Sequence, residues 1–194
     1  MTAAAAGGAG GAAADPRARA RRRAVIAVAV LLALFALNGV WIARSVRGLR
    51  PPGGAAVGAP APTFRGATLA GGQLDLAALR GQVVLLDFWA TWCAPCIAEV
   101  PTLVRVGDTL GPRGLVIVGV NIEGPSAKAA VADFVAEGGI KFPIVLDDGP
   151  IASLYRVKEL PHAVVIGRDG TIRRVLLGAT PQDELTRVLE EALK

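Results

Sequence analysis

Two apolar runs dominate the middle of the chain, VVLLDFWA over residues 83–90 and GLVIVGVNI over 114–122. Both are rich in apolar, β-prone residues, so both predict buried central strands. A helix is expected between them, from about Ala94 to Gly107. Beyond the second run, Ala130, Val131, Phe134 and Val135 share one helical face, with Ser126 placed to cap it. FPIVLD (142–147) is apolar but too short for its period to decide between helix and strand. HAVVIG and TIRRVLL flank an Arg-Asp-Gly turn, which predicts a hairpin. A last helix is marked by Leu185, Val188, Leu189 and Ala192 on one face and is opened by Thr180, Pro181 and Asp183. Upstream, TFRGATLAGGQLDLAAL alternates around Gly-Gly and reads as a short strand pair. The order β-α-β-α-β-β-α behind an N-terminal hairpin predicts an α/β domain, a central mixed sheet flanked by helices.

A different pattern occupies residues 24–43, AVIAVAVLLALFALNGVWIA, 20 residues without a charge and with Asn38 as the one polar side chain. As a helix rising about 1.5 Å per residue it would span about 30 Å, the hydrocarbon thickness of a bilayer. Arg17, Arg19, Arg21, Arg22 and Arg23 precede it, which places the N-terminus in the cytoplasm and the bulk of the chain outside. A cleaved signal peptide is the rival reading. The run is longer than the usual apolar core of such peptides, and Arg44 and Arg47 stand where a small-x-small cleavage site would be expected. The organisation expected is therefore a disordered basic cytoplasmic tail (1–23), a transmembrane helix (24–43), a Pro/Gly/Ala linker (44–62) and a folded domain (63–194). The location is the cytoplasmic (inner) membrane, single-pass, with the C-terminal domain extracytoplasmic.

Charge supports this division. Residues 1–50 carry eight arginines and one acid, whereas residues 51–194 carry 13 basic and 15 acidic side chains. The net positive charge thus belongs to the N-terminal arm. The domain is nearly neutral and offers no basic stripe for phosphates, so no nucleic-acid partner is expected.

The only two cysteines, Cys93 and Cys96, stand two residues apart just after the first apolar run. Cys93 is expected where a strand ends and a helix opens. Unpaired backbone N–H groups and the positive end of the helix dipole favour thiolate there, and lower the thiol pKa from about 8.5. Cys96 lies one turn on, able to close a disulfide or resolve a mixed one, and Pro95 stiffens the turn between them. A structural zinc site would need four ligands, and the chain has one histidine. Covalent haem attachment would need a histidine where Ile97 stands. A structural disulfide over so short a loop removes little chain entropy. An inert buried pair does not suit a strand-to-helix edge.

FWATWCAPC resembles the active-site stretch of the thioredoxin superfamily, and WCAPCIAEVP fits the pattern W-C-x-P-C-x-x-E-x-P of the TlpA/ResA-like membrane-anchored thiol-disulfide oxidoreductases. The resemblance runs from about residue 60 to the C-terminus. It implies a thioredoxin-like fold, with Cys93 attacking and Cys96 resolving. Trp92 would shield the pair and shape the docking surface, or simply pack; Trp89 would belong to the core. Asp87 would help move the Cys96 proton, or be an acid satisfied by other hydrogen bonds. Thioredoxin pairs that acid with a lysine on the next strand, and Gly119 stands there instead. Glu99 fits the family's acidic position, and a solvated helix face explains it as well. Pro101 matches a kinking proline. Pro161 matches the superfamily's cis-proline, which would present the Leu160 backbone to a substrate strand. His162 replaces the usual threonine. It would tune thiolate charge, serve as a soft-metal ligand, or be a tolerated change at the rim of the site. Glu123 receives no role.

The expected function is disulfide reduction or exchange in extracytoplasmic proteins through Cys93 and Cys96, with a membrane thiol carrier as electron donor. Cytochrome c maturation is the family task best known. A monomer with no dissociable cofactor and no resident metal is expected, its redox centre being the Cys93–Cys96 disulfide. Two other readings stay open. One is a copper-delivery module using Cys93, Cys96 and His162. The other is a thiol peroxidase, although Ala90 occupies the position of that family's threonine.

Overall fold

The computed structural model describes Leu34 and residues 56–194. The expected tail and the beginning of the linker lie outside the described residues, as does the 24–43 span apart from Leu34. Among the described residues no helix is long and apolar enough to cross a membrane.

A short antiparallel hairpin, β1 (Arg65–Ala67) and β2 (Gln73–Asp75), opens the domain. Then come β3 (Val83–Trp89), α1 (Ala94–Leu110), β4 (Leu115–Asn121), α2 (Lys128–Glu137) and β5 (Ile144–Leu146). The chain ends with α3 (Pro150–Leu154), β6 (His162–Ile166), β7 (Ile172–Leu177) and α4 (Gln182–Leu193). The five-stranded sheet has the order β5-β4-β3-β6-β7. β3 runs parallel to β4, and β4 to β5, whereas β6 is antiparallel to both β3 and β7. This is the mixed sheet expected, and all seven residues of β3, at its centre, are buried.

Strand alternation divides the core between two faces. Val84, Leu86 and Phe88 pack with Phe64, Leu76, Ile151 and Tyr155 on the face covered by the hairpin and α3. Val83 and Leu85 pack against Leu103, Val106 and Leu110 of α1 and Leu185, Val188 and Leu189 of α4. Beyond them on that side, Trp89 meets Val131 of α2 and both cysteines. Two successive parallel crossovers of the same hand put α1 and α2 on one face.

Several expectations need correction. FPIVLD supplies β5, a fifth sheet strand of three residues. Ser126 does not cap α2: it lies in a 3₁₀ turn, Pro125–Ala127, and its hydroxyl bonds to the Glu123 carbonyl at 3.3 Å. Pro181 does stand at the start of α4 with Asp183 in its first turn, as expected, but no side chain caps the helix. α1 runs on to Leu110 with Pro101 inside it. The linker does not reach residue 62 undocked. Gly58 N–H donates to the Ile172 carbonyl (2.8 Å), Ile172 N–H to that of Ala59 (2.9 Å), and the Tyr155 hydroxyl to that of Pro62 (2.7 Å).

Gly119 faces Asp87 across the β3–β4 ladder. A Cβ there would lie 2.5 Å from Ile144 Cδ1 and 3.0 Å from Trp89 Nε1, so the space a side chain would use is already filled. Trp89 in turn stacks against Phe134 with ring centroids 4.9 Å apart. Gly119→Ala is therefore expected to destabilise the domain by about 1–3 kcal/mol through overpacking. Urea unfolding checks this, and unchanged stability would contradict the packing.

Candidate functional site

The site forms where β3 ends. A fully buried strand emerges at Trp89, turns through Ala90–Trp92 and enters α1, whose N-cap is Cys93. The Cys93 sulfur accepts the Cys96 N–H at 3.3 Å, one of the orphan donors of the first turn. The two sulfurs form a disulfide, with Cα atoms 5.3 Å apart. The residues are 5% and 4% exposed, but their access differs. Cys93 borders an open groove of about 520 Å³ together with Trp92, Pro95, Ile122, Val157 and Leu160; Cys96 does not line it. Trp92, 68% exposed, forms part of the groove wall.

The Leu160–Pro161 bond is cis. It leads into β6, next to β3, so Leu160 reaches the groove from the far side of the cysteines. The structure thus brings together Cys93, Cys96, Trp92, Pro95, Leu160 and Pro161.

Asp87 is buried on β3, on the face that carries Leu85 and Trp89. Burial, reinforced by the charge of Glu99, pushes its pKa up to about 8. Glu99 is itself buried on α1, which overturns the reading as a solvated face. Burial raises its pKa, opposed by a bond from Thr180 N–H at 3.1 Å. Both carboxyls therefore favour the neutral form more than ordinary acids do, which weakens their repulsion of a nearby thiolate.

His162 departs from the expectation. It follows Pro161 in sequence but is buried rather than at a rim, packed edge-on against Phe88 with centroids 5.8 Å apart. Alternation along β6 sends it to the face of Val164 and Ile166, whereas the cysteines pack with Trp89. Neither ring nitrogen has a hydrogen-bond partner. Burial lowers its pKa, partly countered by Glu159, which favours the neutral ring. Among the described residues no three His, Cys, Asp or Glu side chains gather as metal ligands, so the proposed copper set of Cys93, Cys96 and His162 is not assembled.

Sequence reasoning missed the polar cluster at the root of the loop. Thr91 N–H donates to Glu123 Oε2 at 2.6 Å and its hydroxyl to Oε1 at 2.9 Å. No local motif announces this pairing, because the partners lie on different elements.

A redox disulfide at a strand–helix junction, with a cis-proline leading into the neighbouring strand, defines a thioredoxin-fold thiol-disulfide oxidoreductase. Residues 57–175 match the AhpC/TSA family. The chain is 32% identical over 169 residues to the thiol-disulfide oxidoreductase ResA of Geobacillus kaustophilus, covering 87% of this chain and 95% of that one. ResA of Bacillus subtilis is 35% identical over 122 residues, 62% of this chain and 67% of the relative. A crystal structure from Chlorobium tepidum, described as thiol:disulfide interchange protein DsbE, superposes with a TM-score of 0.67 at 29% identity, over 72% of this chain and 99% of that one. The chain belongs to the AhpC/TSA family and, within it, to the thiol-disulfide oxidoreductases of ResA and DsbE type.

The buried acid yields a sign-determined prediction. The folded state holds the Asp87 proton more tightly than the unfolded chain does. Asp87 therefore costs stability progressively as pH rises from about 4 to about 8. Asp87→Asn is expected to match the parent near pH 4 and to exceed its stability by about 5 kcal/mol near pH 8. Urea unfolding across that range checks this, and a pH-independent difference would contradict it.

Proposed function

We propose that the protein is an exported, membrane-anchored oxidoreductase that reduces or exchanges disulfides of extracytoplasmic proteins through Cys93 and Cys96. The observation that carries this reading is the asymmetry of the pair: Cys93 caps α1 and borders the groove, and Cys96 sits behind it. In the dithiol form, the Cys93 thiolate attacks one sulfur of a substrate disulfide, forms a mixed disulfide and expels the other sulfur as a thiolate, which takes up a proton. Cys96 then loses its proton to Asp87, whose raised pKa suits it to act as a base. The Cys96 sulfur displaces the second substrate sulfur, which leaves as a thiolate and takes up the proton held by Asp87. Two electrons have passed to the substrate, and the Cys93–Cys96 disulfide is restored. A dithiol carrier in the membrane reverses the last steps and returns the pair to the reduced form.

The groove wall of Trp92, Pro95 and Leu160 suits an extended segment carrying apolar side chains beside its cysteine. Apocytochrome c, with cysteines in an unfolded chain, is a substrate of that kind. The 24–43 run supports a single-pass anchor that holds the domain on the outer side of the cytoplasmic membrane.

Cys93→Ser is expected to abolish disulfide reduction. Cys96→Ser is expected to accumulate a mixed disulfide with substrate through Cys93, seen by acid quenching and non-reducing electrophoresis. A Cys93→Ser protein that still reduces disulfides would overturn the reading. For the anchor, the full chain is expected to stay with the membrane through an alkaline wash, its N-terminal segment intact. Release by the wash, or a mature N-terminus beyond residue 43, would contradict it.

A further inference from the structure

The reaction above uses Cys93, Cys96 and Asp87 and leaves unused one carboxylate joined to the same loop, that of Glu123. The parallel pairing of β3 and β4 continues one residue past the strands, as Ile122 N–H donates to the Trp89 carbonyl at 3.1 Å. Backbone pairing then stops, and the Glu123 side chain takes over. Its Oε2 accepts from Thr91 N–H (2.6 Å) and from Asn121 Nδ2 (3.0 Å), and its Oε1 accepts from the Thr91 hydroxyl (2.9 Å). Asn121, fully buried at the last position of β4, fixes the glutamate in turn: its Oδ1 accepts the Glu123 N–H at 3.0 Å in an Asx turn. From the other side the loop is held by Cys93 N–H bonding to the Ala90 carbonyl at 3.1 Å.

We propose that Glu123 is a positioning residue for thiol–disulfide exchange, pinning Thr91 to the end of β4 and so holding Cys93, two residues on, at the first turn of α1 and at the groove. The inference rests on the reading of Cys93 as the attacking thiol. Burial alone would raise the Glu123 pKa, but its bonds to the Thr91 backbone, Asn121 and the Thr91 hydroxyl hold it below the ordinary range, so the carboxylate stays an acceptor through neutral pH. Two carboxylate oxygens meeting three donors explain why an acid serves here. A glutamine preserves the arrangement: its oxygen takes the place of Oε2, and its NH₂ donates to a Thr91 hydroxyl turned to accept. Alanine preserves none of it. The pair of substitutions therefore separates geometry from charge, since both remove the charge and only one removes the bonds.

The test uses the full chain, reduced, in detergent. Alkylation of each cysteine by iodoacetamide is followed against pH by peptide mass spectrometry. Glu123→Ala is expected to react at Cys93 about two- to fivefold more slowly than Glu123→Gln near neutral pH, with its profile displaced to higher pH, because the sulfur leaves the helix N-terminus. Glu123→Gln is expected to react at least as fast as the parent. A merely loosened fold would instead speed labelling of both cysteines. Coincident profiles for Ala and Gln, or a Gln variant as slow as Ala, would overturn the proposal. If Glu123→Ala fails to fold by circular dichroism, Thr91→Val decides. It keeps the charge and the backbone bond, and is expected to shift the Cys93 profile in the same direction by less; no shift would overturn the proposal. The two readings fail separately. A Cys93→Ser protein that still reduces disulfides removes the proposed function, whereas a required Cys93 that is indifferent to Ala against Gln removes the role of Glu123 alone.

Discussion

A helix that begins at the edge of a sheet leaves backbone N–H groups without carbonyls, and in this chain the atom offered to them is a sulfur. Cys93 holds that position because β3 ends at Trp89 and a three-residue turn spans the gap. Its sulfur accepts the Cys96 N–H, so one sequence spacing satisfies the first turn of α1 and brings the two sulfurs together. The burial of all of β3, the groove beside Trp92 and the cis bond at Pro161 contribute to the chemistry by keeping that junction in place and open on one side.

Electrostatics around the junction follow from burial. Asp87 and Glu99 lie on the face that carries the cysteines, and desolvation moves both toward the neutral form. Ionised, they would repel a thiolate; protonated, they leave the helix N-terminus to act on it. The lysine that thioredoxin sets against its buried acid has no counterpart here, because Ile144 and Trp89 fill the space above Gly119. What shifts Asp87 is therefore its burial, reinforced by the charge of Glu99.

Much of this was legible from residue order. The runs at 83–90 and 114–122 are central strands because so many successive apolar residues need cover on both faces. The Arg-Asp-Gly turn and the Gly-Gly pair gave both hairpins. The cysteine spacing located the redox centre. What escaped was either too short for a period or set by tertiary contacts. β5, at three residues, and α3, at five, carry no readable repeat. Ser126 has the right chemistry for a cap, yet a 3₁₀ turn intervenes before α2 begins. His162 looked peripheral because it adjoins Pro161 in sequence, but a period of two sends it beneath Phe88. Glu99 and Glu123 are common surface residues whose partners, Thr180 and Thr91, are distant in sequence.

In the proposed reaction the two sulfurs are unequal, with Cys93 the one that meets other molecules. The most direct measurement starts from the intact disulfide. A small thiol such as glutathione is allowed to open it, the reaction is quenched in acid, and peptide mass spectrometry locates the adduct. Glutathione is expected on Cys93, with Cys96 left as the free thiol. An adduct on Cys96, or an even division between the two, would contradict it.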